Sequence, residues 1–242
     1  MNKQIYTITE NREIATETYR LVLSGEDTVQ GEFVHLDIPG YYLRRPISVC
    51  EAGNGRLALL YKTVGEGTRT LATLPEGTTV SVLTGLGKGF DADACRHEAL
   101  LVAGGLGAAP LYYLAKKLKD QGKKVTAILG FNKKEEAVLL PEFESLCDRF
   151  ALTTVDGSAG IKGFVTDAIQ ALNPQYDYYY TCGPMIMMQK VCALLQGSGE
   201  ASLEERMGCG AGFCYGCSIQ TAHGPARVCK DGPVFKKEDI LW

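Results

Sequence analysis

Short apolar runs alternate with turn residues through the first ninety positions of the chain. The runs are rich in Val, Leu, Ile and Tyr, and the segments between them contain Gly, Pro, Asn and Asp. This pattern predicts short strands at residues 4–9, 19–24, 33–38, 47–51, 56–62 and 79–83. Because no long helix interrupts the strands, we expect an N-terminal antiparallel β-barrel over residues 1–90.

The pattern then changes to an alternation of strands and helices. Apolar runs at residues 99–103, 124–130, 150–155 and 177–181 predict buried strands. Residues 111–121, 135–147, 163–172 and 185–195 have the length and spacing of helices. Such alternation predicts a doubly wound parallel sheet with helices on both faces over residues 91–200, followed by a small C-terminal segment at 201–242.

Composition excludes several classes of protein. The 242 residues carry a net charge of −3 and no dense basic run, which argues against nucleic-acid binding. Charges occur throughout residues 1–14, and glycines with Pro110 interrupt the uncharged run at 99–115, so we expect neither a signal peptide nor a membrane helix. An odd number of cysteines, nine, without an export signal favours the reducing cytoplasm.

Four of those cysteines form the most specific motif in the chain. Cys209, Cys214 and Cys217 have the spacing C-x4-C-x2-C, and Cys229 follows twelve residues later. This spacing is typical of the plant-type [2Fe–2S] site, and the intervening glycines suit a backbone that must wrap closely around a cluster. Structural zinc remains an alternative, although only Cys214 and Cys217 form the C-x2-C pair that zinc sites favour. A thioredoxin-like pair or disulfides fit less well.

Two further motifs follow strands of the predicted sheet. The first opens a helix, where glycines allow a phosphate to approach and free N–H groups can bind it. Its distinctive residues are Gly104, Gly105, Gly107 and Pro110. Pro110 stands where the dinucleotide fingerprint expects glycine or alanine, so the motif alone is equally compatible with a structural turn. Cys182 and Gly183 form the second motif, at the same expected edge of the sheet.

The barrel carries two features that suit an anionic ligand. The stretch 45–48 presents a cation, Arg45, and a small hydroxyl, Ser48, at the start of a strand. Gly67 and Thr68 lie at the start of a short helical stretch, where backbone N–H groups favour anions. A surface salt bridge and an ordinary turn are at least as good explanations when each feature is taken alone.

Together these motifs resemble the ferredoxin–NAD(P) reductase superfamily. The C-terminal segment, including residues 204–209 and 229–235, narrows the resemblance to electron-transfer subunits of class 1B dihydroorotate dehydrogenases, and the similarity covers essentially the whole chain. In that family the barrel binds FAD, and the matching positions here are Arg45, Pro46, Ile47, Ser48, Leu60, Tyr61, Lys62, Gly67 and Thr68. Ile47 replaces an aromatic residue that is often found before the serine.

The resemblance also implies the other sites. The sheet domain would receive NAD through Gly104, Gly105, Gly107 and Pro110, with Cys182 and Gly183 near the nicotinamide, and the cluster ligands would be Cys209, Cys214, Cys217 and Cys229. No residue is assigned as catalytic, since His35, His97 and His223 have no partnered Ser or Cys motif.

The function implied is electron relay. Electrons would pass from the FMN of a catalytic subunit, which oxidises dihydroorotate to orotate in pyrimidine synthesis, through [2Fe–2S] and FAD to NAD. The expected assembly has two chains of each kind. One alternative is a reductase subunit of another ferredoxin, hydrogenase or oxygenase system. A more distant one is a non-enzymatic module in which the cysteines bind zinc.

Overall fold

Six antiparallel strands close into a barrel in the first part of the chain. The structure is a computed structural model that describes residues 1–25 and 32–242. The barrel strands are β1 (Asn2–Ala15), β2 (Thr18–Ser24), β3 (Phe33–Leu36), β4 (Arg45–Gly53), β5 (Arg56–Lys62) and β6 (Thr79–Leu86), in the order β1-β2-β5-β4-β3-β6. All six predicted strands are therefore confirmed, and β1 is longer than predicted.

A short helix, α1 (Glu66–Thr73), lies against the barrel strand β1. Its Leu71 is fully buried. The Asn11 amide of β1 donates to the carbonyls of Leu71 and Leu74 at 2.8 and 3.0 Å. These bonds add a side-chain donor to backbone carbonyls at the C-terminal end of α1, where few backbone N–H groups remain to pair with them.

The second part of the chain forms the predicted parallel sheet. Its strands are β7 (Glu98–Gly104), β8 (Lys124–Phe131), β9 (Arg149–Thr154), β10 (Ile161–Lys162), β11 (Tyr178–Cys182) and β12 (Gly199–Ser202). The connecting helices are α2 (Ala108–Asp120), α3 (Leu140–Leu146), α4 (Val165–Leu172) and α5 (Met185–Leu194). Strands β7 and β8 are buried on both faces, as expected for strands covered by helices.

The C-terminal segment adds a hairpin and one more strand. The hairpin pairs β13 (Ser218–Thr221) with β14 (Gly224–Arg227), and β15 (Val234–Lys236) pairs antiparallel with β12. The sheet order is thus β10-β9-β8-β7-β11-β12-β15. The sequence pattern did not predict these three short strands.

One predicted helix was wrong in its first half. The expected helix at 135–147 begins only at Leu140 and is preceded by a separate 3-10 turn at Lys134–Glu136. Leu139 has a left-handed backbone with φ of 59°, which no α-helix accommodates, and Pro141 suits the first turn that follows. In α2, by contrast, Pro110 lies in the first turn, where backbone N–H groups have no acceptor within the helix, so the N–H that proline lacks is not needed.

The described chain groups into two compact units. Met1–Gly89 and Glu204–Pro233 form the first unit, which we call the barrel unit. Phe90–Leu203 and Val234–Trp242 form the second, the sheet unit. Over residues 1–25 and 32–242, no helix has the length and apolar character needed to cross a membrane.

Candidate functional site

The two sequence motifs of the sheet unit meet at one edge of the sheet. Strands β7 and β11 are parallel neighbours, with Cys182 opposite Ala103. The chain continues from β7 towards β8, β9 and β10 on one side, and from β11 to β12 on the other. The carboxyl ends of β7 and β11 therefore form the topological switch point, where open α/β sheets bind ligands.

Gly107 lets the two motifs touch backbone to backbone. A Cβ built on Gly107 would lie 2.1 Å from the carbonyl oxygen of Cys182 and 2.8 Å from the amide nitrogen of Gly183. Real side chains do not approach a backbone so closely, and the backbone cannot easily give way. The glycine is therefore required by close approach, as in a loop that brings phosphate to a helix N-terminus.

A cavity of about 590 Å³ opens beside this junction. Its volume is within the range of small-molecule and cofactor sites. The lining combines glycine backbone with apolar side chains, including Gly104, Gly105, Phe164, Pro184, Ile186 and Met187. Phe164 and Ile186 are largely exposed there. Glu136 and Lys190 add a carboxylate and a cation. The cavity can thus receive a ligand with an apolar ring and charged or hydroxyl groups.

In the barrel unit, the stretch Arg45 to Ser48 begins β4 beside β3. Phe33 is opposite Ser48, and His35 is opposite Pro46. Directly opposed residues project from the same face of a sheet, so Pro46 and Ser48 share a face with Phe33 and His35. Ile47 is buried and projects to the other face.

Arg45 lies over the first turn of α1. Its guanidinium would be 2.7 Å from a Cβ on Gly67, and it stacks 5.1 Å from the centre of the Tyr41 ring. It also bonds to the carbonyl of Leu43. The Thr68 hydroxyl accepts from the Gly65 amide at 3.2 Å and donates to the Gly65 carbonyl at 3.0 Å. A fixed cation beside a helix N-terminus is an arrangement that suits a pyrophosphate.

The resemblance to FAD-binding barrels assigns Arg45 to a flavin site, so we predict that replacing Arg45 with Ala weakens FAD binding by removing the cation beside the α1 N-terminus. We expect FAD to bind about 10- to 100-fold more weakly, the size expected for a hydrogen bond to a charged group. Titration of flavin-stripped protein with FAD measures this change, and the matched control is Arg12→Ala, which alters a β1 side chain that is 60% exposed. Equal FAD affinity in the Arg45 and Arg12 variants would remove Arg45 from the flavin site.

Leu60, Tyr61 and Lys62 occupy the end of β5, and alternation separates their side chains. Tyr61 projects to the opposite face from Leu60 and Lys62. Its hydroxyl donates to Asn11 at 2.9 Å and its ring stacks on Tyr19 at 5.5 Å. The Tyr61 side chain is therefore engaged on a different face from those of Leu60 and Lys62.

The cluster loop, which we define as residues 207–217, directs backbone amides at its thiols. The Sγ of Cys209 accepts from the amides of Ala211, Phe213 and Cys214 at 3.4, 3.2 and 3.4 Å. Burial opposes ionisation of Cys209, but these bonds outweigh it and lower its pKa to about 6. Amide donors of this kind stabilise thiolates and tune the potential of iron–sulfur clusters.

The four thiols form two pairs. The Cys214 side chain is a hydrogen-bond partner of Cys209, and Cys217 is a partner of Cys229. Burial and the contact with Cys217 raise the pKa of Cys229 to about 12. Within the described ranges, no three His, Cys, Asp or Glu side chains are grouped as around a single metal ion. A [2Fe–2S] cluster is instead held by four thiolates across two irons, and the paired thiols fit this group.

The hairpin β13–β14 explains the spacing to the fourth cysteine. It leaves Cys217 and returns to Cys229, whose amide donates to the Cys217 Sγ at 3.4 Å. Arg227 then ties the hairpin to the cluster loop, donating to the Gly212 carbonyl at 3.0 Å and pairing with Asp231 at 3.0 Å. Sequence reasoning missed Arg227, because its partners become visible only once the hairpin is formed.

Two family models match parts of the chain. The profile described as "Iron-sulfur cluster binding domain of dihydroorotate dehydrogenase B" matches residues 204–241. That described as "Oxidoreductase NAD-binding domain" matches residues 101–193. A solved structure described as that of the NADH-dependent reduced ferredoxin-NADP oxidoreductase is 30% identical with a TM-score of 0.89, covering 98% of this chain and 90% of the other. A ferredoxin NADP+ reductase from Neisseria gonorrhoeae shares the fold, with a TM-score of 0.69 at 15% identity over 80% of this chain and 90% of that one.

Curated relatives extend over the full length. A protein of Fusobacterium nucleatum subsp. nucleatum is 39% identical, covering 97% of this chain and 96% of the relative. One of Bacillus cereus (strain Q1) is 40% identical, covering 100% and 99%. Both are named "Dihydroorotate dehydrogenase B (NAD(+)), electron transfer subunit". With the barrel, the switch-point cavity and the four-thiol loop all present, the chain belongs to this family of oxidoreductase subunits.

Proposed function

We propose that this chain relays electrons from an FMN-containing dihydroorotate dehydrogenase subunit to NAD. The observation that carries the proposal is the four-thiol loop with its amide donors, held in the same compact unit as the flavin-type barrel. When bound, a [2Fe–2S] cluster carries single electrons, a nicotinamide exchanges a hydride, and a flavin does both. The chain's own residues position these groups and set their potentials.

The barrel unit would bind FAD and the cluster. Arg45 and the N-terminus of α1 would hold the pyrophosphate, and Pro46 and Ser48 would lie along the flavin ring, with Ile47, Leu60, Tyr61 and Lys62 contributing backbone or side-chain contacts. Cys209 and Cys214 would hold one iron, and Cys217 and Cys229 the other. The paired thiols and their amide donors support this ligand set.

The sheet unit would bind NAD at the switch point. The backbone at Gly104, Gly105 and Gly107, with α2 behind it, suits the pyrophosphate, while Cys182 and Gly183 would border the nicotinamide. Glu136 lines the cavity near the end of β8 and its carboxylate accepts from the Asn132 amide at 3.1 Å. A carboxylate there would accept ribose hydroxyls and repel a 2′-phosphate, which supports NAD over NADP.

The cluster loop would also dock the partner subunit. Phe213 and Tyr215, on either side of the exposed Cys214, are 77% and 65% exposed. Apolar side chains beside a redox ligand suit a protein interface, since aromatic residues are enriched in interface cores. We propose an assembly of two chains of each kind, located in the cytoplasm.

A second candidate function has one specific observation in its favour. The structure that is 30% identical over 98% of this chain is a ferredoxin-NADP oxidoreductase, not a dihydroorotate dehydrogenase subunit. On that basis the cluster would exchange electrons with a ferredoxin. The fold and cofactor sites would be the same, and only the partner would differ.

The deciding experiment is anaerobic formation of NADH from dihydroorotate and NAD, with this chain and an FMN-type dehydrogenase subunit present separately and together. We expect NADH only when both chains are present. In a separate binding measurement, we expect Phe213→Ser to weaken the association of the two chains more than Ile5→Ser, which alters an exposed apolar residue of β1 and serves as the control. If the two chains do not associate while reduced ferredoxin supports NADH formation, the second candidate is correct and the first is refuted.

A further inference from the structure

His35 is a buried imidazole for which the described residues offer no hydrogen-bond partner. It lies in β3 with 0% exposure, and neither Nδ1 nor Nε2 is bonded within residues 1–25 and 32–242. Buried polar groups in native proteins are nearly always paired. Two unpaired nitrogens on one buried ring therefore point to a partner that arrives with a bound ligand.

The ring of His35 supports the cluster loop. A Cβ on Gly210 would lie 2.4, 2.5 and 2.8 Å from Cε1, Nε2 and Nδ1. Near-equal distances to three ring atoms place Gly210 over the face of the imidazole rather than at its edge. Gly210 has φ of 68° and directly follows the thiol Cys209. The position of this part of the loop is thus set by the imidazole face.

The same side chain adjoins the flavin-binding stretch. His35 is directly opposite Pro46 across the β3–β4 ladder, and its ring centre is 5.7 Å from that of Phe33. Burial, and secondarily the charge of Arg44, lower its pKa to about 4, so the ring is neutral and offers one donor and one acceptor nitrogen. Arg44 itself is bonded to Asp37 and Ser81.

We propose that His35 is a positioning residue between the two redox sites of the barrel unit, seating the cluster loop on its ring face and hydrogen-bonding a bound redox cofactor through its ring nitrogens. The inference deepens the proposed function and rests on it. A polar atom of either the flavin or the cluster would bond to the ring nitrogens of His35, and the experiments below distinguish these two partners. No sequence motif predicted this role, because β3 and the cluster loop are distant in the chain.

The first test removes the ring and follows each electron-transfer step in the purified holoprotein. In His35→Ala we expect the rate of cluster reduction by NADH, measured relative to the rate of flavin reduction in the same preparation, to be at least about tenfold lower, since small displacements of reacting groups are costly. The control is His223→Phe, at the exposed turn between β13 and β14. A wild-type rate of cluster reduction in His35→Ala would overturn the seating role.

The second test separates the ring from its nitrogens. His35→Phe keeps a flat ring under Gly210 and lacks any donor or acceptor, so we expect a shifted midpoint potential for whichever cofactor bonds to the imidazole. A shift confined to the flavin identifies the flavin as the partner, and a shift in the cluster potential and its EPR signal identifies the cluster. Unchanged potentials for both would overturn the hydrogen-bonding role.

A single variant and the corresponding double variant together distinguish a lost contact from simple misfolding. Gly210→Ala places a methyl group on the imidazole face and should slow the same step, while adding His35→Ala removes the obstructing ring and should restore the rate at least about twofold. No recovery in the double variant would overturn the seating contact. A wild-type chain without iron or flavin would refute the proposed function as well, whereas unaltered variants of a normal holoprotein refute only the role of His35.

Discussion

Cys214→Ser will leave a yellow protein that NADH still reduces but that no longer exchanges electrons with its partner subunit. A serine hydroxyl is a poor ligand for iron. Replacing Cys214 also removes the thiol that pairs with Cys209. The residues proposed to bind flavin and nucleotide lie elsewhere in the chain, so NADH-dependent dye reduction should stay at the wild-type rate. Dihydroorotate-dependent NADH formation should fall to background.

The measurements are iron content, the visible spectrum and the two activities on the same preparation. Cys147→Ser is the matched control, because Cys147 lies just beyond α3 and its pKa is raised to about 12, mainly by burial. That thiol has no feature of a ligand and its replacement should change neither activity. Normal partner-coupled NADH formation by Cys214→Ser would refute the cluster assignment.

Gly107→Ala will disable the reaction with NADH while sparing the flavin and the cluster. The added Cβ would lie 2.1 Å from the Cys182 carbonyl oxygen, so the loop after β7 must move away from the end of β11. To relieve this clash the loop must shift by about 1 Å, and a shift of that size at a binding site can lower the rate about a hundredfold. We therefore expect kcat/KM for NADH-dependent dye reduction to fall by about that factor.

The matched control is Gly122→Ala. Gly122 has φ of 74° and no heavy atom within 4 Å of its would-be Cβ, so alanine there meets backbone strain without a clash. Gly107 shows the reverse, with an ordinary φ of −57° and a severe clash. Comparing the two variants separates local close approach from general loss of stability. An unchanged kcat/KM in Gly107→Ala would show that NAD does not bind at the switch point.

Local pattern predicted most of the architecture because it is local physics that makes strands and helices. Short apolar runs bounded by turn residues placed all six barrel strands, and apolar runs placed the central strands of the sheet. The helix at 135–147 failed where one backbone conformation, at Leu139, broke an otherwise helical pattern. The short strands β10, β12, β13, β14 and β15 were missed because they are too short to show a period.

The position of the candidate site could be predicted only in part. Cys209, Cys214 and Cys217 lie within nine consecutive residues, so their spacing alone indicates a cluster. The sequence predicted that the motifs containing Gly107 and Cys182 lie at the same edge of the sheet. It did not predict that they touch, since this contact depends on β7 and β11 being neighbours. Likewise, the separation of the Tyr61 side chain from those of Leu60 and Lys62 follows from strand alternation, which motif matching ignores.

The sequence by itself determined the fold class, the family and the four thiols, because each is written in residues close together in the chain or in their periodic order. Tertiary structure alone decided which distant residues touch: Arg227 on the cluster loop, Gly107 on the Cys182 carbonyl, and Gly210 on the His35 ring. Those contacts depend on strand register and on chain reversals, which bring together residues that no local pattern relates. The electronic environment of the redox sites is therefore a property of the folded chain.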